Sequence, residues 1–559
     1  MYKWKNKGTK IITISLVSSL LLILASTSTT SIMILQEVKE NIYPSYIPHS
    51  EIYIDSDDDF GPTGYNFPGD GSLVTPYVID GYSIETSASY GINITSTSVY
   101  FIISNCLITT TGTAISITNT NTETATVFNN ICNDNSWNGI YIKNSDLCVV
   151  ANNTCSNNGP SVYMNSGIYI ESSTSSIVAN NTCNNNQVGI YVAYSSLAII
   201  MNNSCSQNEE LGIYLPAVPD SLIENNYCKD AGIRAIYSSN TKVLDNEMVN
   251  CGYSTSPFES DYSSYVVENN SVNGKPLGYI TDENDKVYDN PGFGQVIIAS
   301  CTNIVLKNCE IKNVKIGICV FYCSYTNFTN VSSHDNDENG IYMVNSNNCR
   351  IEECNLSDNQ QYGAELYLVE GIFVSNNIIE RNDFSGMMVS TSTLITVFKN
   401  RMKFNNIGIY LASTSHVNYQ NNTCSDNDYG MIIDSSDYCL ISFNEFKANE
   451  DYAIQINSGS NFNIIHHNSF IANNEYGLDT CQACDNAANN VWYDTATNEG
   501  NFWADWDGSG SYPIDGTAGS SDLYPLGSSP VPEFDKISFL TLLSLIPIFV
   551  VTIVRKKSK

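Results

Sequence analysis

Short alternating runs of apolar and polar residues recur along most of the chain, separated by Asn, Ser, Asp and Gly. Typical runs are Gly-Ile-Tyr-Ile at 167–170, Ile-Val-Ala at 177–179 and Gly-Ile-Tyr-Leu at 212–215. A period of two over three to five residues is typical of β-strands, and the intervening residue types are typical of turns. The pattern therefore predicts an all-β chain of short strands joined by tight turns.

These runs repeat at a nearly fixed spacing. A Gly or Ala followed by Ile, Leu, Met or Ala recurs mostly every 22 to 24 residues. The marked positions are Gly91, Ala114, Gly139, Gly167, Gly189, Gly212, Ala235, Gly317, Gly340, Gly363, Gly386, Gly408, Gly430, Ala453 and Gly477. Three short strands and three turns fill one such unit. The spacing predicts a single-stranded right-handed parallel β-helix, a solenoid with coils of 22–23 residues stacked ~4.8 Å apart.

Two columns of residues set the register of the coils. Stacked Asn at one turn position can bond the backbone and one another. This column is Asn130, Asn153, Asn181, Asn203, Asn226, Asn377, Asn400, Asn422, Asn444 and Asn468. Two residues further on, a second column should point inward: Cys132, Cys155, Cys183, Cys205, Cys228, Leu356, Ile379, Met402, Cys424, Phe446 and Phe470. Because cysteine shares this column with Leu, Ile, Met and Phe, we predict free, buried thiols rather than disulfides.

The repeats, together with residues 70–79, 272–277, 500–503 and 524–526, resemble a known family. It comprises NosD-like, pectin-lyase-like right-handed β-helix proteins of the carbohydrate-binding and sugar-hydrolase type. The resemblance implies the fold, and the NosD name adds copper handling. The same scaffold carries lyases, hydrolases and pure binders, so the resemblance does not choose among these activities.

The two ends of the chain predict export. Four lysines, a short apolar run and small residues at the N-terminus are typical of a signal peptide. At the other end, 18 uncharged residues followed by basic ones approach the ~20 residues that span a bilayer as a helix. The predicted segments are a signal peptide at 1–31, a first β-helix half with its N-terminal cap at 50–250, an insertion or junction at 251–295, a second half at 296–488, a C-terminal cap at 489–527, a linker with a sorting motif at 528–536 and a transmembrane helix at 537–554.

Pro532, Glu533 and Phe534 stand directly before the apolar segment. This arrangement resembles the C-terminal sorting signal of archaeal surface proteins that are processed by archaeosortase-type enzymes. The resemblance implies a protein on the extracellular face of the cell membrane, anchored at its C-terminus.

The charge balance limits the partners. The chain has 25 Lys+Arg against 57 Asp+Glu and a net charge of −32. Nucleic acid is therefore not expected as a partner, because phosphate binding needs clustered basic residues. We expect a polysaccharide or a surface protein as partner, and the membrane through the C-terminal helix.

Catalytic residues cannot be assigned from the sequence. Arg401-Met402-Lys403 has the form of the Arg-x-Lys pattern of polygalacturonases, but their Gly-His-Gly motif is absent. Met402 should point inward and Lys403 should lie beside Glu380 of the previous coil, which favours a surface ion pair.

No cofactor is expected, with calcium as the one alternative. His466 and His467 are adjacent, but strand alternation should send their rings to opposite faces, which disfavours a copper site. The acidic residues that could supply oxygen ligands to calcium are Asp55, Asp57, Asp58, Asp59, Asp505, Asp507, Asp515 and Asp522.

The sequence thus favours a surface protein that binds carbohydrate or a partner protein without catalysis. The first alternative is a polysaccharide lyase or glycoside hydrolase on the same scaffold. A cluster of carboxylates with Arg or Lys on one outer face of adjacent coils would favour that alternative. The second alternative is a structural component of a surface coat.

The intact mass of the mature protein tests the sorting motif. If the motif is processed, we expect the mature chain to end near Phe534, because cleavage removes the apolar segment. Glu533→Ala should then preserve the tail to Lys559. A mature unsubstituted chain that keeps Lys559 would mean that the apolar segment itself is the anchor.

Overall fold

A computed structural model of the protein describes residues 46–159, 165–259, 261–474 and 481–531. The predicted signal peptide, the sorting motif Pro532-Glu533-Phe534 and the predicted transmembrane helix at 537–554 lie outside these residues. No helix in the described part of the chain is long and apolar enough to cross a membrane.

The described residues form a right-handed parallel β-solenoid of about 17 turns, which confirms the predicted fold class. Two short 3-10 helices, Asp57–Phe60 and Tyr262–Ser264, accompany the strands. Each coil contributes up to three strands, and each strand pairs in parallel with its equivalent in the next coil. Every inward residue of a coil therefore lies on the inward residue of the next.

The first half of the solenoid is built from three stacks of strands. The first long-strand sheet contains Ile52–Ile54, Tyr90–Thr95, Thr113–Thr118, Ile140–Lys143, Ser166–Glu171, Val188–Ala193, Leu211–Pro216, Ile233–Ile236 and Tyr253–Ser254. The second stack contains Tyr77–Asp80, Phe101–Ser104, Ala125–Phe128, Val149–Ala151, Ile177–Ala179, Ile199–Met201, Leu222–Glu224, Lys242–Leu244 and Val266–Glu268. The third contains Ile47–Pro48, Tyr82–Thr86, Leu107–Thr110, Ser204–Ser206, Tyr227–Lys229, Glu247–Val249 and Ser271–Val272.

The second half repeats this arrangement. The second long-strand sheet contains Lys275–Thr281, Gln295–Ala299, Ile318–Phe321, Ile341–Val344, Tyr362–Tyr367, Ser385–Ser390, Ile407–Ala412, Tyr429–Asp434, Ile454–Ile456 and Ala483–Asp485. The next stack contains Asn284–Asp289, Thr302–Lys307, Asn327–Thr329, Arg350–Glu352, Phe373–Ser375, Thr396–Phe398, Asn418–Gln420, Leu440–Ser442 and Ile464–His466. The third stack contains Glu310–Lys312, Ser332–His334, Ile378–Glu380, Arg401–Lys403, Thr423–Ser425, Glu445–Lys447, Ser469–Ile471 and Phe502–Trp503. Outside the solenoid stacks, Tyr512–Pro513 and Ser521–Asp522 pair antiparallel with each other.

Asparagine ladders join the coils at their turns. Asn203, for example, is 1% exposed, and its Nδ2 donates to Oδ1 of Asn226 at 3.0 Å, while its backbone N–H donates to the same oxygen at 3.0 Å. The left-handed φ belongs to the preceding residue, as in Asn202, and not to the ladder residue itself. Because each ladder side chain is buried, losing one leaves polar groups unpaired at a cost of about 1–3 kcal/mol.

A second asparagine ladder runs parallel to the one expected from the sequence. Its residues are Asn135, Asn158, Asn186 and Asn208, then Asn336, Asn359, Asn382, Asn405, Asn427, Asn449 and Asn473. Two of the three turns of many coils are therefore fixed by buried amides.

The cysteine column lies in the core. Cys132, Cys155, Cys183, Cys205, Cys228 and Cys424 are all 0% exposed and form no disulfide. Burial, with the neighbouring thiols adding to it, raises the pKa of Cys155 well above its ordinary value. Burial likewise raises the pKa of Cys106, one coil before the column begins, to about 12. A thiol whose pKa is raised by burial, as in Cys155 and Cys106, stays protonated and unreactive at neutral pH.

The regular stacking is interrupted between the two halves. Ser271–Val272 pairs antiparallel with the start of Lys275–Thr281, the one such pairing between the described solenoid strands. Between Tyr253 and Tyr265 the chain leaves the coil and passes over the outer face, where Tyr262 stacks on Phe321 with ring centroids 5.7 Å apart.

Aromatic residues pack against the last described coil. Trp503 stacks on Phe470, the last residue of the core column, and on Tyr512, with ring centroids 4.0 Å apart in both pairs. The Trp503 indole N–H donates to the buried Asp522 carboxylate at 2.9 Å.

Substitution of Cys205 tests the core column. Cys205→Val should change the free energy of unfolding by less than about 1.5 kcal/mol, because apolarity and volume are nearly kept. Cys205→Asp should destabilise by several kcal/mol, because an unpaired charge would be buried. Urea unfolding measures both changes. The native thiols should resist alkylation and react once the protein is denatured. Fast labelling of the native protein would contradict the inward register.

Candidate ligand groove on the outer face of the long strands

Four tyrosines form a stripe on the outer face of the first long-strand sheet. Tyr141, Tyr169, Tyr191 and Tyr214 occupy the same outward position in successive coils. Their successive ring centroids are 5.2, 4.6 and 5.1 Å apart, so most ring faces cover one another. We call these four residues the tyrosine stripe.

The hydroxyls of the tyrosine stripe are hydrogen-bond donors at neutral pH. Burial of the half-exposed rings, with the neighbouring Tyr214 as a smaller cause, raises the pKa of Tyr191 to about 12. The Tyr141 hydroxyl donates to the Glu171 carboxylate at 2.9 Å, and Lys143 pairs with the same carboxylate at 3.0 Å. The stripe thus presents phenol hydroxyls next to the ion pair of Glu171 and Lys143.

Arg234 takes the next outward position after the tyrosine stripe. It is in register with Tyr214, and its Cζ lies 6.0 Å from the Tyr214 ring centroid. Beyond it lies a groove of about 310 Å³, which we call the junction groove. Gln295 bridges its two sides, because its side chain accepts from the Tyr253 N–H at 2.9 Å and donates to the Ile316 carbonyl at 3.0 Å.

Carboxyl groups and a lysine from the second half line the other side of the junction groove. Lys315 pairs with Glu338 at 3.3 Å. The Asn339 amide donates to the Glu365 carboxyl at 2.7 Å. Burial raises the pKa of Glu365, and the charge of Glu338 raises it further, while the Asn339 hydrogen bond opposes both. The groove therefore holds one carboxyl group whose pKa is raised by burial beside one that is ion-paired.

Several buried polar atoms of the junction groove have no hydrogen-bond partner in the described part of the chain. They include Nε of Arg234 and Oδ1 of Asn339. The other described arginines pair with carboxylates: Arg350 with Glu352 at 3.6 Å, Arg381 with Asp358 at 2.6 Å and Arg401 with Glu380 at 2.6 Å. Orphaned buried polar groups are rare in native proteins and call for a partner.

Sequence reasoning did not find these groove residues. The tyrosine stripe had a readable signal, because Tyr recurs in the Gly-Ile-Tyr runs of four successive coils. Arg234, Lys315, Glu338 and Glu365 had none, because they come from both sides of the interruption in the repeat.

Arg401-Met402-Lys403 lies elsewhere on the surface. Met402 is 0% exposed, and Lys403 is the register partner of Glu380, both as expected. The ion pair with Glu380 is made by Arg401, however, and not by Lys403.

The prediction that the rings of His466 and His467 lie on opposite faces is wrong. Their Nδ1 atoms are 2.6 Å apart and their ring centroids 4.9 Å apart. The strand ends at His466, and His467 adopts a left-handed φ of 54°, so the alternation of a strand does not apply. His467 Nε2 also lies 2.9 Å from a carboxylate oxygen of Glu499.

Several of the acidic residues considered for calcium accept hydrogen bonds from protein donors. Asp57 accepts from Thr97 at 2.6 Å, Asp505 accepts from Gln482 at 2.6 Å, and Asp522 accepts from Trp503. Calcium binding by these carboxylates stays a prediction.

Solved β-helix structures resemble the chain weakly. The periplasmic alginate epimerase AlgG is 12% identical over 75% of this chain and 84% of that chain, with a TM-score of 0.25. Pectate lyase Pel9A is 12% identical over 48% and 74%, with a TM-score of 0.24. The GH136 lacto-N-biosidase from Eubacterium ramulus is 12% identical over 63% and 62%, with a TM-score of 0.25. These likenesses say nothing about activity.

A family model described as periplasmic copper-binding protein (NosD) matches residues 361–508. Copper sites need accessible clusters of Cys, Met or His. All eighteen cysteines are buried, and so are Met402 and Met431. Within the described ranges, no three His, Cys, Asp or Glu residues are placed to share a metal ion. The described residues therefore do not fit a copper site.

A second family model, described as right handed beta helix region, matches residues 66–196, 113–272 and 278–402, which together span more than half of the chain. No curated protein matches the chain. Parallel coils are stacked throughout the described residues that this family model matches. The chain belongs to the right-handed β-helix family, with the pectin-lyase-like fold.

Proposed function

We propose that the protein is an exported β-helix protein that binds carbohydrate on its outer face without cleaving it. The observation that carries this proposal is the continuity of the tyrosine stripe, Arg234 and the junction groove along one face of the solenoid. An extended glycan can lie along this face and meet one coil after another. Anchoring at the cell surface through residues 537–554 belongs to the same proposal.

The chemistry of this face suits sugars. Sugar hydroxyls both donate and accept hydrogen bonds, and the phenol ends of the stripe offer both roles in a regular row. Ligand sites combine apolar walls with a few placed polar groups, and the junction groove combines Phe321 and Ile316 with Asn339 and Arg234.

Removal of one stripe hydroxyl tests the proposal. Tyr191→Phe keeps the stacked ring and removes one hydrogen bond, so we expect affinity for a bound glycan to fall about three- to tenfold. Binding is measured with the purified full-length protein on a glycan array, followed by calorimetry. Tyr438→Phe is the matched control, because Tyr438 is exposed on a turn of the other half. Equal losses in both variants, or no glycan bound at all, would contradict the proposal.

A second candidate is a polysaccharide lyase or glycoside hydrolase. Glu338 and Glu365 favour it, because two carboxyl groups in different environments, one ion-paired with Lys315 and one partly buried beside Asn339, are what general acid–base chemistry on sugars needs. Lys315 and Arg234 lie in the same groove. This cluster combines carboxylates with Arg and Lys on one outer face, which is the feature expected of the enzyme alternative.

Glu365→Gln tests this second candidate. If Glu365 supplies or removes a proton, the substitution should lower turnover at least about 100-fold. Reducing ends and unsaturated products are measured on a panel of polysaccharides, with Glu352→Gln as the surface control. Turnover that survives in the Glu365 variant would remove the groove as the catalytic site. Neither binding nor turnover in the native protein would favour the structural-coat alternative.

A further inference from the structure

We infer that the junction groove recognises an isolated carboxylate on an otherwise uncharged glycan, and that Arg234 binds this carboxylate. The inference rests on the proposed function and names its ligand class. The ligand inferred here differs from a glycan that carries a charge on every sugar.

Arg234 has a hydrogen-bond donor without a partner among the described residues, and this donor can bind an anionic group. Its guanidinium lies over the Tyr214 ring, and Nε is buried without an acceptor among the described residues. A guanidinium offers a planar pair of donors that matches a carboxylate. A buried donor without a partner costs free energy that a bound carboxylate would recover.

The other charged side chains of the groove have partners of their own. Lys315 is paired with Glu338 at 3.3 Å. The Glu365 carboxyl accepts from the Asn339 amide at 2.7 Å. Arg234 is therefore the uncompensated charge of the groove.

Asn339 supplies a second point of recognition. It is 3% exposed, its Nδ2 is used by Glu365, and its Oδ1 is without a partner. This oxygen can accept only from an O–H or N–H. A sugar hydroxyl next to the carboxylate meets that requirement, whereas a second carboxylate does not.

The protein as a whole opposes polyanions. Its net charge is −32, and the charge of Glu210 acts on Tyr214 at the end of the tyrosine stripe. Like charges along a binding face raise the free energy of the complex and slow association. A glycan with a carboxylate on every sugar would meet this field at each coil, and an isolated carboxylate meets it once.

Hexasaccharides that differ only in charge test the inference. The probes are α-1,4- and β-1,4-linked glucose hexamers with a C6 carboxylate on none, one or all six sugars. Calorimetry with the full-length protein should give about tenfold tighter binding for the single carboxylate than for either other form in at least one linkage series. Arg234→Gln should abolish the difference between the singly charged and the uncharged hexamer. Arg234→Lys should keep part of it, because the charge remains and the planar fork is lost.

Arg401→Gln is the matched control, because this arginine is paired on the surface, and it should leave the preference unchanged. Tightest binding of the fully charged hexamer, or a preference that survives in Arg234→Gln, would overturn the inference. Uncharged hexamers that bind equally well and lose affinity in Tyr191→Phe would overturn it while leaving the proposed function intact. If none of the probes binds but a glycan array shows other ligands, the inference is wrong and the proposed function is retained.

Discussion

Hydrogen bonding between successive coils is the interaction on which the rest of the structure depends. A single coil is too small to bury a core, so each coil is stable only on its neighbours. Parallel strand pairing supplies the bonds along the faces, and buried amides such as Asn203 and Asn226 supply them at the turns. Because pairing fixes which residues lie on which, it also dictates the inward stack of thiols and the outward stack of tyrosines.

That same constraint explains where binding chemistry can arise. Regular coils present flat faces whose side chains satisfy one another, as the rings of Tyr169 and Tyr191 do. At the junction the repeat lapses and the chain crosses the outer face. Gln295 hydrogen-bonds across the two halves there, but Nε of Arg234 and Oδ1 of Asn339 have no partner among the described residues. The interruption in the repeat, rather than the repeat itself, produces the candidate site.

The accuracy of sequence reasoning varied with the local backbone. The column from Cys132 to Phe470 lies inward. This holds where three residues pair with the next coil, as at Cys205 and Cys228, and also where a single bridge joins the coils, as beside Cys155. Strand alternation failed at His466 and His467, because the strand ends there and His467 takes a left-handed φ. The ion pair of Glu380 was placed on the correct strand but on the wrong residue, since side chains of neighbouring outward positions compete for one carboxylate.

The sequence by itself determined the fold class, the length of the coil, the inward column and one of the two asparagine ladders. These features are periodic, and a period is visible in a single chain because every coil repeats the same physical requirement. Only the tertiary structure decided the junction groove. Arg234 and Glu365 are 131 positions apart in the chain numbering, and nothing in the local pattern of either residue indicates that they line one groove. Their proximity depends on how two stacks of coils meet, which is a property of the assembled solenoid.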